Sequence, residues 1–169
     1  MVESYEVLDA FRGHQRLNKK IFKSVLIPYA EGMNSQTFFH HPITIEPTDI
    51  DQLQHVNNEV YLRWLMQAAS AHSKAAGFGM EYFVRTKKAF VVRRHEIDYL
   101  LPALLGDELL IKTWIDSYKG ARSYRRYELW RGEKKLVEAN TLWVYIDLTS
   151  GRPIEIDSAM IVEYHKVQI

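Results

Sequence analysis

Glu59, Arg63, Gln67, Ser70 and Lys74 recur at steps of three or four, so the polar residues of this stretch form one narrow helical stripe. Val60, Tyr61, Leu62, Trp64, Leu65, Met66, Ala68, Ala69, Ala71 and Ala75 occupy most of the remaining circumference. The spacing therefore predicts one long helix over about 58–76, apolar over more than half its surface. A helix of that kind must be covered on several sides, as by a sheet wrapped around it. Gly77 supplies the stop, because glycine adopts the left-handed conformation that ends helices. Asn57 or Asn58 supplies the N-cap, since a carboxamide oxygen accepts from first-turn amides.

The covering strands can be read on both sides of that helix. Residues 36–46 are rich in strand formers and lead into a loop at Pro47. Residues 80–86 fit one or two further helical turns, and strand-like runs follow at 89–101, 108–118, 122–131 and 135–148. Pro102, Lys119-Gly120-Ala121 and Gly132-Glu133 separate these runs, which predicts three hairpin connections and an antiparallel meander. Residues 157–165 fit a short terminal helix. The layout is α+β, an antiparallel sheet around one central helix.

Residues 1–35 have a different character and are expected to form an N-terminal extension to a main domain at 36–169. Leu17, Ile21 and Val25 recur at helical spacing opposite Arg16, Lys19, Lys20 and Lys23, and Pro28 ends the pattern. A helix packed on its own domain or on a subunit interface is the expected role.

Composition excludes several classes. There are no cysteines, which removes disulfides, thiolate catalysis and cysteine metal sites. A net charge of +1 offers no global attraction for nucleic acid or an anionic membrane. No apolar run approaches the length of a membrane span. The acidic start, with Glu3, Glu6 and Asp9, lacks the features of a secretory or transit segment, so a cytoplasmic protein is expected. No His and carboxylate set has metal-ligand spacing, and Gly-x-Ser-x-Gly is absent. No metal is expected.

The chemistry concentrates in residues 48–61, just before the long helix. Asp49, Asp51, His55, Asn57 and Asn58 crowd into this loop. A carboxylate beside a helix start is suited to catalysis, because free first-turn N–H groups can hold an oxyanion while the carboxylate attacks or activates water. Either aspartate could instead cap a turn, and His55 could be a base or a loop-fixing donor. A second charged cluster, Lys119, Arg122, Arg125, Arg126, Arg131, Lys134 and Lys135, interleaved with Tyr124, Tyr127 and Trp130, fits a phosphate-bearing ligand or a solvated hairpin. Its likeness to a nucleic-acid surface is weak, and no nucleic-acid partner is expected.

Asp51-x-x-x-His55-Val56-Asn57-Asn58-x-x-Tyr61 followed by the long helix resembles the signature of 4-hydroxybenzoyl-CoA thioesterase-like proteins, which have the hot-dog fold. Ala89-Phe90-Val91-Val92, Tyr99-x-x-Pro102, Gly106-Asp107 and the run from Tyr145 to Pro153 agree, so the similarity covers about residues 38–165. The resemblance implies an acyl-CoA or aroyl-CoA thioesterase, a homodimer or homotetramer that needs no cofactor. It puts the catalytic aspartate at Asp51, the backbone oxyanion donors at Asn57 and Asn58, and His55 in the loop's support. Tyr61, Trp64 and Leu65 would line the acyl pocket or pack the core, and Arg122, Arg125 and Arg126 would meet the carrier's phosphates. The family's usual glycine before the histidine is replaced by Gln54. If the loop needs a positive φ there, Gln carries a conformational cost, and a non-catalytic acyl-binding module is the alternative reading.

Overall fold

The computed structural model describes residues 37–168, which fall in one compact unit, Ser35–Ile169. The helix expected over 1–35 lies outside the described residues. Strand β1 (Phe39–Ile43) leads through a 3-10 turn (Pro47–Asp49) into helix α1 (Asn58–Ala75) and helix α2 (Met80–Thr86). Strands β2 (Lys88–Tyr99), β3 (Leu109–Lys119), β4 (Arg122–Arg131) and β5 (Lys134–Asp147) follow, then helix α3 (Ser158–Lys166). All strand pairs are antiparallel, in the order β1-β3-β4-β5-β2.

Alternation builds the inner face of the sheet. Leu109, Ile111, Thr113 and Ile115 of β3 are buried, as are Ser123, Arg125, Tyr127 and Leu129 of β4. Val60, Tyr61, Trp64, Leu65, Ala68 and Ala69 of α1 join Ile111, Tyr127, Leu129 and Val137 in one core cluster. Each large side chain buried there contributes about 2–3 kcal/mol, so this contact is what holds helix to sheet. Glu59, Arg63, Gln67, Ser70 and Lys74 are all exposed, as the stripe requires.

The strand order corrects the expected meander. Only β3, β4 and β5 follow one another; β2 pairs with β5, and β1 takes the place beside β3. Residues 100–108 therefore do not form a hairpin. Leu100 and Leu101 donate to the Leu136 carbonyl at 2.8 and 3.1 Å, and Ala103 is tied to the helix side of the molecule by Tyr61. These contacts carry the chain across the end of the sheet, with Gly106 at φ +89 turning it.

A bulge in β2 changes which side chains face inward. Val92 pairs with Trp143 and Arg94 with Leu142, so Arg93 is the extra residue. Beyond it His95, opposite buried Thr141, and Ile97, opposite buried Ala139, turn inward. His95 Nδ1 meets the Thr141 hydroxyl at 2.9 Å, which accounts for a histidine on that face.

Candidate active site

The loop before α1 is closed by its backbone. Asp51 N–H donates to the His55 carbonyl at 2.8 Å, Gln54 N–H to the Asp51 carbonyl at 3.1 Å, and Asn57 N–H to the Asp49 carbonyl at 2.9 Å. Gln54 has φ +62, the left-handed conformation in which a side chain is disfavoured. The turn thus demands what glycine supplies most cheaply, and Gln54 supplies it at a cost of about 1–2 kcal/mol.

The two aspartates, equivalent by spacing, are separated by the fold. Asp49 is 2% exposed, pairs with Arg63 through Oδ1, and accepts Glu46 N–H at 3.0 Å through Oδ2. Both oxygens are engaged, so Asp49 is a structural clasp. Asp51 is only partly buried, and its Oδ1 accepts Leu53 N–H at 2.8 Å and His55 N–H at 3.3 Å. Its Oδ2 accepts no hydrogen bond among the described residues. One oxygen fixes the carboxylate through two backbone N–H groups, and the other has no donor among the described residues.

The two asparagines also part. Asn57 is the N-cap, its side chain accepting Glu59 N–H at 3.1 Å, while its own N–H is spent on Asp49. That corrects the expectation that both backbone amides are available. The Asn58 N–H donates to no group among the described residues, and the positive end of the α1 dipole lies there. His55 supports the loop through its backbone; its exposed ring has no partner among the described residues.

Tyr61, together with Val56, Tyr99 and Ala103, to which the sequence assigned no role, completes this corner. Tyr99 hydroxyl donates to the Asn58 carbonyl at 3.0 Å, and Val56 N–H donates to the Ala103 carbonyl at 3.0 Å. Tyr61 hydroxyl accepts Ala103 N–H at 2.9 Å, and the Tyr61 ring meets Trp64 and Tyr99 edge to face. Burial pushes the Tyr61 phenol pKa up, which keeps it a neutral structural group. Trp64 and Leu65 are core residues as well. Spacing could not show these contacts, because they join segments some forty residues apart in the sequence.

An apolar cavity of about 300 Å³ lies instead along the second half of α1, lined by Met66, Ala69, Phe83, Phe90, Trp143 and Arg125 among others. The three arginines are divided. Arg122 is exposed, Arg126 pairs with Asp116 at 3.2 Å on the outer face, and Arg125 points inward and is 4% exposed. They do not form one phosphate-binding cluster. No group of three or more metal-ligating side chains occurs among the described residues.

The profile of the thioesterase-like superfamily matches residues 45–162. The chain belongs to this superfamily. The match includes the Asp51 loop, the whole of α1 and every strand but β1. The acyl-CoA thioester hydrolase YbgC of Escherichia coli is 26% identical over 129 residues, which cover 76% of this chain and 96% of that one. Among solved structures, a probable thioesterase from Bartonella henselae is 27% identical with a TM-score of 0.67, covering 71% of this chain and 99% of that one. A thioesterase from Thermus thermophilus, solved with coenzyme A and zinc, is 22% identical with a TM-score of 0.67, covering 79% and 96%. The fold is the hot-dog fold of these thioesterases.

Proposed function

We propose that the protein is an acyl-CoA thioesterase, hydrolysing an acyl- or aroyl-CoA to the free acid and CoA. The observation that carries the reading is the pairing, in one closed loop, of a carboxylate with one free oxygen and an unspent helix-start amide. Asp51 Oδ2 takes a proton from water as that water attacks the thioester carbonyl, or itself attacks the carbonyl carbon. The oxygen of the tetrahedral adduct gains negative charge, and the Asn58 N–H with the α1 dipole stabilises it. Collapse breaks the C–S bond, and the leaving thiolate takes up the proton that Asp51 drew from the attacking water, or one from solvent, to give CoA. Where Asp51 itself attacked, water then hydrolyses the anhydride between the acyl group and Asp51 to the free acid and the regenerated carboxylate. The names of the superfamily and of YbgC support the reaction class.

The assembly we infer is a homodimer, or a tetramer built from it, formed through β2. This strand is an edge of the sheet and its middle carries Val91, 40% exposed, and Val92. The apolar stretch before the bulge at Arg93 leaves backbone groups of this edge open to pairing with another chain. The opposite edge, β1, is short and contains Pro42, which blunts it. Two copies joined at β2 would continue one sheet through both.

The test is turnover of an acyl-CoA panel by wild type and Asp51→Asn. A drop of a hundredfold or more in kcat with the fold intact is expected, because the amide can neither accept the proton nor attack. Undiminished turnover removes Asp51 from the mechanism. Binding of acyl-CoA without hydrolysis by wild type would instead indicate the non-catalytic module.

A further inference from the structure

Arg125 is a buried guanidinium with no carboxylate beside it among the described residues. Its Nη1 donates to His72 Nδ1 at 2.8 Å and to the Thr113 hydroxyl at 3.3 Å, and its charge lies 5.5 Å from the Tyr164 ring centre. Every one of these partners is neutral. His72 Nε2–H donates to the Tyr164 carbonyl at 3.0 Å, which leaves Nδ1 as an acceptor and fixes the uncharged tautomer. Thr113 gives its own proton to the Arg126 carbonyl at 2.8 Å, so it too can only accept from Arg125.

Nε and Nη2 of Arg125 donate to no group among the described residues, although the guanidinium has five donors in a fixed fork. Burying a guanidinium without an anion beside it carries a desolvation cost that neutral partners do not fully offset. The cation over an aromatic ring offsets only part of that. Arg125 also lines the cavity of about 300 Å³, together with Met66, Ala69, Phe83, Phe90 and Trp143. Among the described lining residues Arg125 alone is charged, in a wall that is mostly apolar, and such a lining suits an apolar ligand bearing an anion. We propose that this cavity binds an apolar chain ending in a carboxylate, with Arg125 Nε and Nη2 gripping the carboxylate side by side.

Two sources could provide that chemistry. One is a free medium-chain fatty acid; the other is an acyl-CoA whose acyl group carries a second carboxylate at its far end. Direct binding is independent of the hydrolysis proposed above, so calorimetric titration of the full chain with octanoate and with octanol separates the two questions. Octanoate is expected to bind at least tenfold tighter than octanol, and Arg125→Met to abolish that preference. Ser70→Phe provides a second variant, because Ser70 is exposed on α1 and also lines the cavity, so the change fills the chamber without entering the core. It is expected to weaken octanoate tenfold. Equal affinity for octanoate and octanol, or octanoate affinity untouched by either variant, overturns the proposal. The source is then read from wild-type kcat/KM. Suberyl-CoA preferred over octanoyl-CoA marks the substrate's own far carboxylate, while equal rates with octanoate still bound mark the free acid.

Discussion

Asn57 N–H donates to the Asp49 carbonyl at 2.9 Å, and the loop between these residues is thereby closed around Asp51. The bond spends the Asn57 amide, and the Asn58 N–H is the one we propose as oxyanion donor. It also ties the Asp51 loop to the buried Asp49, so loop geometry and helix start are set together.

Asp49 should then matter to stability. Asp49→Ala removes the acceptor for Arg63 and for Glu46 N–H. Arg63 is more than half exposed and regains water, so the loss is expected at the low end for a charged hydrogen-bond partner, about 2 kcal/mol. For a chain of this length that is a fall in Tm of about 4–8 °C. Thermal unfolding followed by circular dichroism measures it, and a change under one degree would contradict the clasp.

Gln54 is the position where one substitution should improve the protein. Gln54→Gly relieves the left-handed strain at φ +62 but gives the unfolded chain more freedom, for a net gain of about 0.5–1 kcal/mol. Urea denaturation should show a raised midpoint with unchanged slope, and turnover should not fall. A lowered midpoint would mean the Gln54 side chain stabilises the loop in some other way.

His72 makes stability fall with acid. Desolvation first, and then the Arg125 charge, lower its pKa from the ordinary 6.5 to about 3, against the weaker opposing effect of the Tyr164 carbonyl. The folded pKa lies below the unfolded one, so between these values the unfolded chain holds the extra proton. The contribution is complete above pH 6.5 and lost progressively toward pH 3, at up to about 1.4 kcal/mol per pH unit. His72→Gln is expected to flatten the dependence between pH 6 and 4 by that one proton, read from urea midpoints. Parallel curves for the two proteins would show that His72 does not titrate on unfolding.

The helical stripe, the strand runs and the loop chemistry were legible because each depends on neighbours close in sequence. Side-chain period and turn residues are local, so α1 was expected at 58–76 and runs Asn58–Ala75, and the fourth and fifth strands fall within a residue of their expected starts. The pairing of β2 with β5 was not legible. Residues 100–108 end in ordinary turn chemistry, and only their bonds to Leu136 and Tyr61 reveal that they cross the sheet.

The same boundary separates what was known about the site. The sequence by itself determined that a carboxylate, a histidine and two asparagines precede an apolar helix, and that Gln54 stands where the resembling family has glycine. That the turn there has a positive φ came from the fold. Tertiary structure alone decided that Asp49 is engaged through both oxygens while Asp51 keeps one free, that Asn57 has spent its amide, and that Arg125 is buried and lines a mostly apolar cavity. The reason is physical. Spacing fixes which residues share a loop or a face, but a polar group's role depends on which of its donors and acceptors remain unsatisfied after packing, and those partners come from Arg63, Tyr99, Thr113 and His72, far along the chain.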